Sequence, residues 1–167
     1  MFSTFDRVPA HTSEEINQQI RNDIRERVHH LAMHPEAIPR RLREHREEWD
    51  IARAIELDPK CASSFVARAS LYRRKREFYK AISDFDTALR LNPQDADIRL
   101  LRGCTQQERG EADKATADYT EAIRLDPRLV VAYYNRAHNL WIRGDYDQAI
   151  ADCTKAIELK PKWGQAY

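Results

Sequence analysis

Pro59, Pro93, Pro127 and Pro161 fall at a constant interval of 34 residues. A fixed period of that length with proline punctuation is the signature of a helical-hairpin array, in which no unit can bury its apolar face alone. Neighbouring units stack, and the chain becomes a solenoid. Chains of this kind bind far more often than they catalyse.

Further ladders keep the same step. Leu57, Leu91, Leu125 and Leu159 stand two residues before the prolines, and Ala54, Ala88, Ala122 and Ala156 stand five before. Ala81, Ala115 and Ala149 share one rung, and Ala69, Gly103 and Ala137 share another. Small residues recur where two helices must approach closely, because a larger side chain would push the axes apart. Phe85 and Tyr119 fill a slot that Ile51 and Cys153 occupy elsewhere; Phe65 and Tyr133 share a rung that Arg99 breaks.

The third unit reads VVAYYNRAHNLWIRGDYDQAIADCTKAIELKP. It resembles a tetratricopeptide repeat (TPR), with that family's small residue, aromatic, GDY, second small residue and closing proline in place. The resemblance covers residues 62–163 and is closest in style to bacterial members. It implies an all-α fold: a right-handed α-solenoid of three TPR helical hairpins behind an N-terminal helical cap. The repeats are 62–95, 96–129 and 130–163. Residues 1–61 form the cap with a degenerate half-repeat, and 164–167 begin a further repeat.

Each repeat predicts two helices, near 62–75 and 78–91, 96–109 and 112–125, then 130–143 and 146–159. Gly110 and Gly144 separate paired helices, where a left-handed residue closes a helix at little cost. Asp95 suits the N-cap of the helix that follows it. The steps Asp58-Pro59, Asn92-Pro93 and Asp126-Pro127 end the second helices, because the residue before proline is pushed out of the α region.

The first 58 residues follow another pattern. Thr12-Ser13-Glu14-Glu15 reads as a capping box. Ile16, Ile20, Ile24, Val28 and Leu31 then recur every three or four residues, predicting an amphipathic helix over 13–34. Pro39 sits in the first turn of a second helix that runs to Leu57. This second helix keeps the Ala54, Leu57 and Pro59 rungs. Pro35 stands where the repeats carry Ala69, Gly103 and Ala137, so the first half of this unit is no repeat helix. The expectation is that the 13–34 helix packs on the second helix, burying Ile16, Ile20, Ile24 and Leu31, with Trp49 filling the gap. At the other end, Ala166 and Tyr167 repeat Ala132 and Tyr133. The outer face of the last helix, with Ile150, Ile157 and Trp163, is then expected to be uncovered: either the sequence is a fragment or another molecule, such as a second copy, covers that end.

Charge and composition narrow the function. Twenty-eight basic residues against 27 acidic ones leave no basic excess for a general nucleic-acid or membrane-surface binder. No apolar run is long enough to span a bilayer, and the start lacks the apolar stretch of a secretory signal. Cys61, Cys104 and Cys153 are scattered, with no paired metal-type spacing. They fit reduced thiols in a cytoplasmic protein. No nucleophile elbow, P-loop, zinc-protease helix or dinucleotide fingerprint occurs. The expectation is no catalysis, no cofactor and no metal. Glu26, His30 and His34 could face one ion on a helix, but solvated side chains or cap packing is the favoured reading. Arg73-Arg74-Lys75-Arg76 could meet an acidic peptide or phosphate; the favoured reading is cations that complement a helix C-terminus. Arg40, Arg41, Arg43 and Arg46 read as a solvated face.

Two polar ladders run in step. Arg68, Arg102 and Arg136 stand where many TPRs carry leucine, and Asp84, Asp118 and Asp152 follow 16 residues further along; Asp50 shares the aspartate rung, but its own unit has His34 at the arginine place. An unpaired charge between helices would be expensive, so pairing is expected. The favoured scheme is within a hairpin: Arg68 with Asp84, Arg102 with Asp118, Arg136 with Asp152. The alternative runs between repeats, with Asp50 on Arg68, Asp84 on Arg102 and Asp118 on Arg136.

In the family, the first helix of each hairpin lines a concave surface. The resemblance places there Val66, Ser70, Arg73, Leu100, Leu101, Cys104, Gln107, Val131, Tyr134, Asn135, His138 and Trp141. That face is basic towards the first repeat and apolar-aromatic towards the third. The carboxylate clamp for chaperone tails found in some members is judged absent. Its places read Val66, Ser70, Leu101 and Val131, with Asn135 alone suitable. The implied function is a non-catalytic scaffold for a peptide or protein partner, with no nucleic acid or membrane involved. The alternatives are a secretion-chaperone-like protein and a docking or regulatory fragment of a larger enzyme.

Overall fold

A computed structural model describes residues 18–19, 21–23, 25–26 and 40–161. The chain divides into two compact units, 1–46 and 47–167. In the first, the described residues between 18 and 26 are helical, and Gln19 Nε2 donates to Asp23 Oδ1 one turn on. The capping box, Pro35, Pro39, His30, His34 and the five apolar positions named above (Ile16, Ile20, Ile24, Val28 and Leu31) lie outside the described residues. So do Trp163, Ala166 and Tyr167.

Helix α1 (Arg40–Leu57) crosses the boundary. Three hairpins follow: α2 (Ala62–Arg74) with α3 (Phe78–Leu91), α4 (Ala96–Glu108) with α5 (Ala112–Leu125), and α6 (Val130–Arg143) with α7 (Tyr146–Leu159). No strand occurs among the described residues. Each helix packs on its hairpin partner, and α4 lies on α3 as α6 lies on α5. The helix bounds match the sequence expectation, except that α2 and α4 each end one residue sooner.

The three turns inside the hairpins close alike. Glu77 N donates to Tyr72 O, Glu111 N to Gln106 O and Asp145 N to Leu140 O, each at 2.9 Å. This closure needs a left-handed residue just before the donor. Gly110 and Gly144 supply it at φ 88° and 94°, and Arg76 holds the same place at φ 61°. The Asp95 carboxylate caps α4, accepting from Ile98 N at 3.0 Å.

The ladders become the core. Ala69, Ala81, Phe85, Ala88, Ala115, Tyr119 and Ala122 are fully buried. At Gly103 the fit is tightest: an added Cβ would lie 2.7 Å from Tyr119 Cε1. The arginine and aspartate ladders pair within hairpins. Arg68 Nε and Nη2 donate to the two oxygens of Asp84 at 2.7 and 2.8 Å. Arg102 grips Asp118 at 2.7 and 2.6 Å, and Arg136 grips Asp152 at 2.7 Å twice. All three aspartates are buried. The remaining nitrogen links hairpins: Arg102 Nη1 donates to Asp86 at 2.6 Å and Arg136 Nη1 to Thr120 at 3.2 Å. The link between repeats therefore ends two residues beyond the ladder aspartate, not on it. These carboxylates hold the Arg68, Arg102 and Arg136 guanidinium groups above their usual range.

Helix α1 departs from the expectation. Trp49 does not fill a gap; it is 67% exposed. Ala54 and Leu57 keep the register yet stand exposed. Ala88, Ala122 and Ala156, on the same rung as Ala54, are buried against the first helix of their own hairpins. Helix α1 meets α2 through charge: Arg74 Nη2 donates to both Glu47 oxygens at 2.7 Å, and Lys75 Nζ to Glu48 Oε2 at 2.7 Å. Among the described residues no helix is long and apolar enough to cross a membrane.

Candidate functional site

The first helices of the three hairpins, α2, α4 and α6, are linked in order by side chains. Side chains tie them edge to edge. Arg73 on α2 donates from Nε to Glu108 Oε1 at 2.9 Å, with its Nη2 on the same oxygen. Asn135 Nδ2 on α6 donates to Cys104 Sγ on α4 at 3.3 Å. The fold thus brings Arg73, Cys104, Gln107 and Asn135 into one polar seam.

Not every residue assigned to this face is available on it. Val66 and Leu101 pack against the core of the first hairpin. Ser70 Oγ donates back to Val66 O at 2.8 Å and is committed to its own helix. Leu100, Cys104, Gln107 and Asn135 are half-buried. Val131, Tyr134, His138 and Trp141 are exposed, all on α6. Trp141 is 60% exposed and meets the Tyr146 ring edge-on at 4.9 Å. A rigid aromatic face at low entropic cost is what a binding surface needs.

Two contributors were missed at the sequence level. Glu108 neutralises Arg73, and no rung of the repeat marked it, because the equivalent places hold Arg74 and Ile142. The slot that Tyr119 shares with Phe85 gives no sign of a role for its hydroxyl. The Tyr119 ring is buried, but its hydroxyl reaches the seam and donates to Gln107 Oε1 at 2.8 Å. Burial, and then the nearby Cys104 thiol, push the Tyr119 phenol well above its ordinary range. The basic run 73–76 is no free cationic patch. Arg73, Arg74 and Lys75 sit on carboxylates of α4 and α1, and Arg76 builds a turn.

Among the described residues, no group of three or more His, Cys, Asp or Glu side chains could hold a metal. The three cysteines are free thiols.

Comparison with known proteins agrees with this architecture. Tetratricopeptide-repeat profiles match residues 66–127 and 130–162. No curated protein sequence is significantly similar to the chain. Among solved structures, a crystal structure of MamA superposes with a TM-score of 0.64 at 26% identity, covering 69% of this chain and 67% of that one. A second MamA crystal structure gives 0.61 at 26%, with 69% and 63% covered. The first TPR domain of Spaghetti (RPAP3), bound to the HSP90 peptide SRMEEVD, shares the fold at a TM-score of 0.58 and 18% identity, with 60% and 79% covered. The period of 34, the three hairpins and the matched profiles together make this chain a member of the tetratricopeptide repeat family.

Proposed function

We propose that the chain is a non-catalytic scaffold that holds a peptide or protein segment along the groove of α2, α4 and α6. The observation that carries this reading is the outward row on α6, with Val131, Tyr134 and Trp141 at 40%, 53% and 60% exposure. Exposed aromatic anchors beside a polar seam are the usual composition of binding hot spots. The peptide carried by the RPAP3 domain supports the use of this fold for such a partner. The partner differs in kind from a carboxylate-clamped tail. Arg73 already has Glu108 as its counterion, and the amide of Asn135 is engaged with Cys104. The segment recognised here is read chiefly through apolar and aromatic side chains. Three free thiols suit a cytoplasmic setting.

A displayed random-peptide library selected against the chain tests this. Selected peptides should lose about tenfold or more in affinity on Trp141→Ala, the size expected of an aromatic anchor. They should be unaffected by Lys114→Ala on the exposed surface of α5. Binders indifferent to Val131, Tyr134, His138 and Trp141 substitutions would remove the groove from the reading.

A further inference from the structure

The first two hairpins show what normally happens to the face that follows a hairpin: α4 covers the first, α6 the second. The slot at the centre of that face is filled by Phe85 and then by Tyr119, both fully buried. In the third hairpin the same slot holds Cys153, which is exposed. The lost aromatic volume leaves an apolar furrow of about 310 Å³, lined by Tyr134, His138, Trp141, Ile150, Cys153 and Ile157 among others. Ile150 and Ile157 are 58% and 61% exposed along its edge. A ridge beside a furrow, both apolar, is a surface that rarely stays bare on a soluble chain.

The order of residues along α7 says what kind of surface covers it. Cys153 and Thr154 stand at the middle of the helix (Tyr146–Leu159). Ile150 lies three residues before this pair and Ile157 three after; Asp147 lies six before and Lys160 six after. The pattern is apolar about the centre and opposite in charge at equal distances from it. We propose that the α6–α7 face pairs with the same face of a second copy, α7 running antiparallel to α7 about a two-fold axis between Cys153 and Thr154. Ile150 then opposes Ile157 of the second copy, and Asp147 opposes Lys160 of the second copy, in both directions at once. The ridge of each copy enters the furrow of the other, filling the space that Phe85 and Tyr119 fill inside the array. Such isologous contact closes on itself and stops at a dimer. The furrow shares Tyr134, His138 and Trp141 with the proposed groove, so a second copy and a bound segment compete for them, and pairing is read with no peptide present.

Sedimentation velocity of the full chain over a concentration series tests the pairing, with circular dichroism confirming that each variant is folded. The wild-type chain should show a monomer–dimer equilibrium. Ile150→Asp and Ile157→Asp should each weaken it by more than about tenfold, because each buries a carboxylate against apolar surface. Asp147→Lys and Lys160→Asp should each weaken self-association. An equimolar mixture of these two variants should associate more tightly than either alone, since the mixed pair restores both charge contacts. A chain that stays monomeric at every concentration overturns the proposal. So does a dimer indifferent to Ile150 and Ile157, growth beyond the dimer, as head-to-tail stacking would give, or a mixture no tighter than its components.

Discussion

Arg102 meets Asp118 two nitrogens to two oxygens, at 2.7 and 2.6 Å, with the carboxylate 6% exposed. The planar fork of arginine suits this arrangement as lysine would not. Asp118→Ala takes away the two-bond, buried partner of this guanidinium, leaving it only Asp86, and should cost on the order of 1–3 kcal/mol in chemical denaturation. Asp86 binds the third nitrogen of the same guanidinium but is 45% exposed, so Asp86→Ala should cost under about 1 kcal/mol. Equal losses from the two substitutions would contradict the ranking by burial.

Arg76 adopts the left-handed backbone that Gly110 and Gly144 adopt at the equivalent turns. That conformation costs a side-chain-bearing residue about 1–2 kcal/mol. Arg76→Gly should therefore stabilise the chain by about 0.5–1 kcal/mol, after allowing for the greater entropy of glycine in the unfolded chain. Gly144→Ala should destabilise it by a similar amount or more. Thermal melts of the two variants should move in opposite directions.

Gly103 has no room for a methyl group. Tyr119 Cε1 would lie 2.7 Å from an added Cβ and Asp118 Cβ 3.2 Å from it. Gly103→Ala should cost about 1–3 kcal/mol as overpacking. Combining it with Tyr119→Leu should cost less than the two single changes added together, because the smaller side chain frees the contact. Strict additivity in a double-mutant cycle would show that the two do not collide.

Tyr119 gives the fold an alkaline limit. Burial raises its phenol above the ordinary value of 10.0. A raised value means that the folded state keeps a proton which the unfolded chain loses. The stabilising contribution is whole below about pH 10 and declines as pH rises towards the folded-state value. Denaturation midpoints should fall above that pH, and Tyr119→Phe should flatten the fall. In an ultraviolet titration, Tyr119→Phe should remove a late ionisation step that the wild-type chain shows.

Much of this was written in the 34-residue period, and the reason is mechanical. Successive repeats turn the same positions to the same neighbours, so a rung of alanines at 81, 115 and 149 identifies a contact without naming its partner. The arginine–aspartate ladder was legible for the same reason, since both members recur in step within one hairpin. What failed was anything the ladder does not repeat. Ala54 and Leu57 carry the right residue types yet stand exposed. Glu108 stands where the other repeats have Arg74 and Ile142, so the Arg73 contact has no counterpart to betray it. Cys153 was visible as a break in the Phe85 and Tyr119 slot, but only the packed neighbours show that the break is a furrow. On the α2–α4–α6 face, the sequence placed each residue on the correct helix. It could not tell that Ser70 folds back onto its own backbone, or that Leu101 belongs to the core.

The two joints of the array are made of different materials. Between the first and second hairpins the ties are ionic: Arg102 on Asp86, Arg73 on Glu108, and the Arg109 guanidinium 3.4 Å from the centre of the Tyr79 ring. Between the second and third they are mainly neutral: Arg136 on the Thr120 hydroxyl, Asn139 on Ala112 O and Thr116, and Asn135 on a thiol, with one long contact from Arg143 to the exposed Asp113 at 3.9 Å. Dissolved ions screen the first set far more than the second. In a one-dimensional stack, where each unit is held only by its neighbours, this unevenness gives unravelling a direction. Raising ionic strength should speed amide hydrogen exchange in α2 and α3 while α6 and α7 keep their protection, so that brine peels the molecule from one end.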